Sequence, residues 1–231
     1  MRFCYFAFFE APRHPDLRIS TEDLERVRET LGDLAGLSKA HIYQPAEASD
    51  LYTDDGTGPI FGFQLYFDRI EDLEAAVGPR GAVKALATRL PSLSKAQASQ
   101  QGMLNRQFPV PEERPFPPEA CSYLVHYPGP ARDLNEWLAH YLEHHPPIMA
   151  RFPGIREIEI LTRIDWIDSL PWRRVFPMQR NRVMFDSAEA LTAALHSPVR
   201  HEMREDFARF PAFEGGNYHY PMRTERVLPR R

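Results

Sequence analysis

The sequence predicts an α+β protein built from two similar halves, each with the element order β-α-β-β-α-β. The prediction starts from an internal repeat within the 231 residues. Three pairs of segments recur at nearly the same displacement: Tyr66–Val77 (YFDRIEDLEAAV) and Met184–Leu195 (MFDSAEALTAAL), Gly36-Leu37 and Gly154-Ile155, and Cys4 and Cys121. Three such pairs are hard to obtain by chance, so we interpret the chain as a tandem duplication of one unit.

The elements of the first half follow from hydrophobic periodicity and from turn residues. Ser20 with Asp23 three residues later resembles a capping box that opens a helix, and Gly36 ends that helix. The predicted strands are Phe3–Phe9, Ala40–Gln44, Ile60–Phe67 and Gln97–Leu104, and the predicted helical segments are 20–34, 68–77 and 82–90. An acidic loop that contains glycine, Asp50–Pro59, precedes the third strand.

The second half repeats this order after a proline-rich, charged segment, RQFPVPEERPFPP, which is typical of a semi-stiff linker. Its predicted strands are Cys121–Tyr127, Glu157–Arg163, Arg180–Phe185 and Tyr218–Arg223, and its predicted helices are Asp133–His144, Ser187–His196 and Arg200–Phe210. The domain prediction is therefore a first half at 1–105, a linker at 106–118 and a second half at 119–231.

Each predicted half is ferredoxin-like, with a four-stranded antiparallel sheet and helices on one face. The other face of such a sheet needs a cover. Two fused copies can pack their bare faces together, so the sequence predicts two βαββαβ halves, packed sheet to sheet, as an intramolecular α+β barrel.

Composition excludes several classes of protein. A net charge of −4 and scattered basic residues argue against nucleic acid as a partner. No apolar run approaches 18 residues, so no membrane span is expected. The two cysteines have no metal or disulfide spacing, so we expect a reducing cytoplasm. The motifs of serine hydrolases, P-loop proteins and dinucleotide-binding folds are absent in ordinary form.

The segment Asp133–Ile155 carries the densest histidine cluster of the sequence. His145 falls near the middle of the apolar helix face, His144 on its margin and His140 one turn before His144. Pro146 and Pro147 lack the N–H groups that a helix needs, so we expect the helix to stop or kink at the histidines. Imidazoles at a helix end can face a cavity, and His126 on the preceding strand is expected to join them.

Other interpretations of these histidines stay open. His140 is equally compatible with a surface position, and His145 with bonding to free carbonyls at the helix end. His140 and His144 have the i, i+4 spacing of two metal ligands, but no third ligand stands at a motif position. A lone axial histidine for haem would leave almost no trace in a sequence.

Two aromatic features extend the candidate site. Tyr123 on the first strand and Tyr218 on the last strand of the second half can form a patch for a flat ligand, although core packing explains such tyrosines as well. The segment Ile164–Pro177, with Trp166, Trp172 and Arg173, is interpreted as an insertion without a close counterpart in the first half. It fits either a lid with cationic groups or an interface loop.

The second half resembles the EthD-like family of the dimeric α+β barrel superfamily. The matching residues are Trp137, His144-His145-Pro146, Phe152-Pro153-Gly154-Ile155, Phe185-Asp186-Ser187-Ala188-Glu189-Ala190-Leu191, Ser197-Pro198, Asp206-Phe207 and Phe210. They span most of Cys121–Phe213, whereas the first half lacks the histidine-proline segment. A His-x-Pro pattern aligns with His144-His145-Pro146 or, alternatively, with His145-Pro146-Pro147.

The resemblance implies a fold that hosts dehydratases, cyclases, isomerases, cofactor-free monooxygenases and haem-binding members, and fold alone does not choose among them. We expect a cofactor-independent lyase or isomerase that acts on a small aromatic or polyketide-like molecule. The expected catalytic residues are His144, as the general base or acid, with His145 or His140 in support; the expected substrate contacts are His126, Tyr123, Tyr218, Trp166, Trp172 and Arg173. The alternatives are a non-catalytic binding or accessory protein and, third, a cofactor-free monooxygenase. No metal is expected, and a homodimer is compatible with the fold.

Overall fold

A computed structural model describes residues 2–230 of the chain. Residues 1 and 231, at the outer ends of the two predicted halves, lie outside the described residues. Within the described range the strands are β1 (Phe3–Glu10), β2 (Lys39–Pro45), β3 (Phe61–Phe67), β4 (Gln97–Phe108), β5 (Cys121–Tyr127), β6 (Glu157–Arg163), β7 (Arg173–Arg174), β8 (Gln179–Phe185) and β9 (Tyr218–Val227). The helices are α1 (Thr21–Gly32), α2 (Ile70–Val77), α3 (Ala82–Leu86), α4 (Leu134–Met149), α5 (Ala188–Leu195) and α6 (Pro198–Phe207), with a short 3-10 helix at Pro91–Leu93.

Eight of these described strands form a closed antiparallel barrel. The order around it is β1-β3-β2-β9-β5-β8-β6-β4, and β4 pairs with β1 to close the circle. The pairs β2–β9 and β4–β6 join the two halves, so neither half has a free sheet edge there. The α+β barrel expected from the sequence is therefore confirmed.

The two halves have the same strand order. Within the first half it is β2-β3-β1-β4, and within the second it is β6-β8-β5-β9. The bounds also match: Lys39–Pro45 and Glu157–Arg163, and Phe61–Phe67 and Gln179–Phe185, are each displaced by 118 positions (39 to 157, 61 to 179). The connections β2–β3 and β6–β8 consequently have equal lengths. The interpretation of Ile164–Pro177 as an insertion is therefore wrong. The first-half loop Ala46–Ile60 is its counterpart, since the two connections join corresponding strands and have the same length.

Most strands are buried on both faces, which explains their long apolar runs. The inner faces fill the barrel with Cys4, Phe6, Phe8, Tyr43, Tyr66, Met103, Leu124, Leu161 and Met222. An ion pair, Arg182 with Glu159, lies among them, and the guanidinium Nε stands 2.9 Å from the carboxylate Oε2. The barrel interior is therefore packed with side chains.

The predicted linker begins inside a strand. β4 continues to Phe108 because Arg106, Gln107 and Phe108 pair with β6. Further along, Phe116 covers one end of the barrel, stacked on His41 with ring centroids 5.7 Å apart. The segment thus closes the barrel as well as connecting the halves.

Helix α4 passes through both of its prolines and ends at Met149. The expectation that it stops at the histidines is wrong, for a physical reason. Proline's fixed φ is itself helical, and its cost is the lost N–H bonds and the crowding of the preceding turn. Here Pro146 and Met149 are both buried, Met149 within the apolar core of the second half, and that burial holds the last turn. No described helix is long and apolar enough to cross a membrane.

Candidate functional site

The candidate site is a cavity between the sheet of the second half and helices α4, α5 and α6. Strand β5 turns Tyr123, Val125 and Tyr127 toward this cavity because alternate residues of a strand face the same side. The cavity encloses about 50 Å³. Its apolar wall consists of Val125, Met149, Phe152, Val183, Phe185, Leu195, Met203 and Phe207.

Of the three histidines of the segment Asp133–Ile155, His145 is the one that lines this cavity. Its imidazole is 4% exposed and lies between the rings of Tyr141 and Phe210, with centroids 4.7 and 4.9 Å away. The Nδ1 atom stands 2.6 Å from Asp206 Oδ2, which α6 supplies. A carboxylate only accepts hydrogen bonds, so Nδ1 carries the proton. Within residues 2–230, Nε2 has no hydrogen-bond partner.

Burial sets the protonation state of this pair. Loss of water lowers the pKa of His145, and the hydrogen bond and charge of Asp206 raise it by less. Burial raises the pKa of Asp206, but the hydrogen bond with His145 and the nearby His140 and His144 outweigh it, so that pKa is lowered. At neutral pH the pair is a neutral imidazole beside a carboxylate. This arrangement leaves a lone pair on Nε2 to accept a proton.

The other two histidines of the segment lie outside the cavity. His140 Nε2 is 3.7 Å from Oδ1 of Asp206, the carboxylate oxygen that does not bind His145. His144 has a side chain 48% exposed, with its ring 4.6 Å from that of His140 and its Nε2 4.0 Å from Glu143. The residue expected to be the principal base is therefore a surface residue. The alternative alignment of the His-x-Pro pattern, with His145-Pro146-Pro147, places its histidine at the buried residue, His145.

His126 and Tyr218 do not join the cluster, which corrects the expected grouping. His126 follows Val125 on β5 and so faces the barrel interior, 5.3 Å from the ring of Phe8. Burial and the charge of Arg180 lower its pKa well below the usual value. Tyr218 pairs with His126 in the β5–β9 register and is exposed. The sheet itself separates both residues from Tyr123.

Trp166, Trp172 and Arg173 also lie elsewhere. The loop that carries them crosses to the first half, where both indoles join its apolar core. Trp172 packs edge-on against Phe9 with centroids 5.4 Å apart, while Arg173 is exposed in β7, which pairs with β4. Of the two alternatives for this loop, a lid over the second-half site does not fit, because the loop fills the corresponding space of the first half.

Trp172→Ala is expected to lower the free energy of unfolding by about 3–5 kcal/mol, because a large buried side chain leaves a cavity that relaxes only in part. Urea unfolding followed by circular dichroism measures the change. Phe176→Ala, on the same loop but 54% exposed, is the control and should cost under about 0.5 kcal/mol. Equal costs would show that the indole is not a core residue.

The opposite loop, Ala46–Ile60 of the first half, completes the second-half site. Its Asp50 accepts hydrogen bonds from Arg200 Nε (2.9 Å) and Nη2 (2.9 Å) and from Tyr123 Oη (2.8 Å). Burial raises the pKa of Asp50, but the hydrogen bonds and charge of Arg200 outweigh it and lower that pKa. Thr53 of the same loop lines the cavity. Sequence reasoning missed this contribution, and the cluster of acidic residues in the loop was its one signal.

Further polar groups around the cavity were not predicted as site residues. Asn181, on β8, donates from Nδ2 to Tyr141 Oη. His219, on β9, stacks on Tyr123 with centroids 5.3 Å apart and bonds to Asp55 Oδ2 through Nδ1 at 2.8 Å. Arg204 stands exposed at the margin. Asp206 falls in the matched family segment, but a solvated or capping carboxylate fitted the sequence as well; the structure buries it beside His145.

Among residues 2–230, no group of three or more histidine, cysteine or acidic side chains is arranged to hold a metal ion. His140 and His144 have the spacing of two ligands, but the nearest carboxylate, Asp206, already binds His145. The chemistry that these residues offer is proton transfer beside an apolar wall.

No protein-family model and no curated protein matches the chain. Solved structures do resemble it. An anthrone oxidase-like protein aligns over 98% of this chain and 93% of its own, with a TM-score of 0.61 and 13% identity. A "putative monooxygenase" from Lactobacillus acidophilus NCFM aligns over 98% and 95%, with a TM-score of 0.56 and 12% identity.

An EthD family protein from Bacillus halodurans C-125 aligns over 43% of this chain and 96% of its own, with a TM-score of 0.33 and 18% identity. The two alignments along almost the full length define the class of fold. The chain shares a closed α+β barrel fold with these two proteins, and at such low identities the likeness extends to the fold alone.

Proposed function

We propose that the second-half cavity binds a small aromatic or polyketide-like molecule, and that His145 with Asp206 moves a proton on it. One observation carries the proposal: a buried imidazole, held by a carboxylate at 2.6 Å, stands in the wall of an apolar cavity. A carboxylate that holds an imidazole in one tautomer also stabilises the imidazolium that forms. The role expected of His144 thus passes to His145.

The proposed reaction is that of a cofactor-independent lyase or isomerase. His145 Nε2 takes a proton from a carbon next to a substrate carbonyl, and the C–H electron pair becomes the double bond of an enolate. The imidazolium returns the proton to a different carbon in an isomerisation. In a dehydration it gives the proton to a neighbouring hydroxyl, which leaves as water. Both reactions balance without a redox partner.

A second candidate is oxidation of an activated phenol by molecular oxygen. It is favoured by the names of the two full-length structural neighbours, an anthrone oxidase-like protein and a "putative monooxygenase". The same first step, removal of a proton by His145, would make an electron-rich phenolate, and oxygen would be the oxidant. Consumption of oxygen separates this candidate from the lyase or isomerase.

The size of the cavity constrains how a ligand enters. About 50 Å³ is well below the ~150 Å³ of a protein cavity that holds benzene. Binding therefore has to displace a wall element. The flexible side chains of Met149 and Met203 and the loop Ala46–Ile60 are the parts of the wall best suited to move.

The experiment begins with a thermal-shift screen of flat phenols, lactones and polyketide-like ketones. Ligands that stabilise the protein are then incubated with it in D2O, and NMR follows deuterium incorporation at carbon while an oxygen electrode records consumption. Exchange without oxygen uptake supports the lyase or isomerase, and uptake supports the oxidase. Binding without deuterium exchange and without oxygen uptake would overturn catalysis by His145 and favour a non-catalytic binding or accessory protein.

We also propose that the barrel arose by duplication of one ferredoxin-like unit, supported by the shared strand order and the common displacement of 118 positions (39 to 157). A second barrel of the same chain can pair with it as a homodimer. Sedimentation equilibrium tests this state, and a mass of 26.7 kDa at every concentration would reject it.

A further inference from the structure

The carboxylate of Asp50, in the first half, occupies a binding site formed by residues of the second half. Arg200 Nε and Nη2 approach it in the bidentate manner typical of arginine with a carboxylate. Tyr123 Oη donates to the same group from β5. Arg200 and Tyr123 are both buried, and both line the cavity. The second half therefore presents a preformed site for one carboxylate, next to the apolar wall.

The loop that delivers Asp50 is attached to the second half mainly by polar contacts. Besides Asp50, Ser49 bonds to Thr192 and His196, and Asp55 bonds to His219. Its apolar contacts with that core come from two partly buried alanines, Ala46 and Ala48. The ring of Tyr52 lies edge-on to His201 on the surface of α6, with centroids 5.6 Å apart. Leu51 and Tyr52 are exposed. Segments with few buried apolar contacts open at the lowest free-energy cost.

The corresponding loop of the second half, Ile164–Pro177, packs on the first half and is attached differently. Asp168, displaced from Asp50 by 118 positions, likewise binds an arginine, Arg174, and accepts from Gln100 Nε2 at 3.1 Å. Trp166, Leu170 and Trp172 anchor that loop in the apolar core. One loop is thus fastened by indoles and fills its space, whereas the other is fastened by a carboxylate and leaves a cavity.

We infer that the ligand of this site carries a carboxylate, and that Arg200 and Tyr123 bind it in place of the Asp50 carboxylate when the loop lifts. The inference deepens the proposed function and rests on it for the location of the ligand. A buried guanidinium without a partner is costly, so an acid replaces Asp50 more readily than a neutral molecule does. His145 also lines the cavity, so the ligand's body reaches the base while its acid group is held at Arg200.

Asp50→Asn tests the inference, with Asp168→Asn as the matched control. Asp50 acts as a tethered competitor, and tethering gives effective concentrations in the millimolar range or above. Removing its charge should tighten the binding of acids by about tenfold or more. The probes are benzoate, hydroxybenzoates and naphthoates, each with its primary amide, measured by isothermal titration calorimetry. We expect the gain for acids only, and wild-type affinities for Asp168→Asn.

Arg200→Gln supplies the second test, since it should remove the preference for acids over amides. Thermal unfolding of each variant without ligand establishes that it is folded. The inference is overturned if Asp50→Asn binds no acid more tightly than wild type, if amides gain equally, or if Asp168→Asn shows the same gain. Binding is measured without turnover, so a preference for acids with no proton exchange would reject the proposed function and leave this inference standing. Proton exchange on ligands that lack an acid group, with no preference for acids, would reject this inference and leave the proposed function standing.

Discussion

His145→Ala is expected to lower turnover of the ligand, measured as deuterium exchange or product formation, by about 10²–10⁴-fold. The reason is that the variant removes the buried base whose Nδ1 is held by Asp206 at 2.6 Å. Burial lowers the pKa of His145, so its base form predominates at neutral pH. The acidic limb of kcat/KM against pH should therefore lie below the ordinary histidine value near 6.5.

His144→Ala is the matched control, one position away on the same helix and exposed. It should change turnover by less than about threefold, because loss of a surface side chain usually has small effects. Asp206→Asn adds a readout that a purely structural role would not give. The carboxylate raises the pKa of His145, so its loss should move the acidic limb to lower pH. Full activity of His145→Ala, or a large loss in His144→Ala, would contradict the assignment.

Glu159→Gln is expected to lower the free energy of unfolding by about 3–5 kcal/mol, since it removes the fully buried one of the two carboxylates that pair with Arg182 and leaves only the partly exposed Glu157. Arg182 and Glu159 are both within 1% of complete burial. Tyr66 Oη donates to the same carboxylate at 2.8 Å, so the variant also weakens a hydrogen bond inside the barrel. Urea unfolding at pH 7 measures the loss.

The same pair predicts acid sensitivity. Burial raises the pKa of Glu159, but the charge and hydrogen bond of Arg182 outweigh it and bring that pKa down to about 2. A depressed carboxyl pKa stabilises the fold above the unfolded value of about 4.3. That contribution is lost as the pH falls from about 4.3 toward about 2. Glu159→Gln should remove this part of the pH dependence, whereas the exposed Glu22→Gln should keep it. A loss under about 1 kcal/mol at pH 7 would contradict the prediction.

The sequence determined the architecture because periodicity and repetition are local properties. The alternation on Cys121–Tyr127, the amphipathic face with Trp137 and Tyr141, and the paired segments after Tyr66 and Met184 predicted nearly every strand and helix. The bare sheet faces then required a closed barrel, which the strand pairing confirms. The same periodicity put His145 near the middle of the buried helix face.

The tertiary structure alone decided which side chains meet. Asp50 and Arg200 are 150 positions apart and belong to different halves, so no local pattern joins them. The loops β2–β3 and β6–β8 have the same length, and each packs on the opposite half of the chain. Trp166 and Trp172 consequently lie in the first-half core, away from the histidines. His126 and Tyr123 are three residues apart, yet the pleat places them on opposite faces of the sheet. Packing around Pro146 overrode the local helix-breaking signal and fixed His145, rather than His144, beside Asp206.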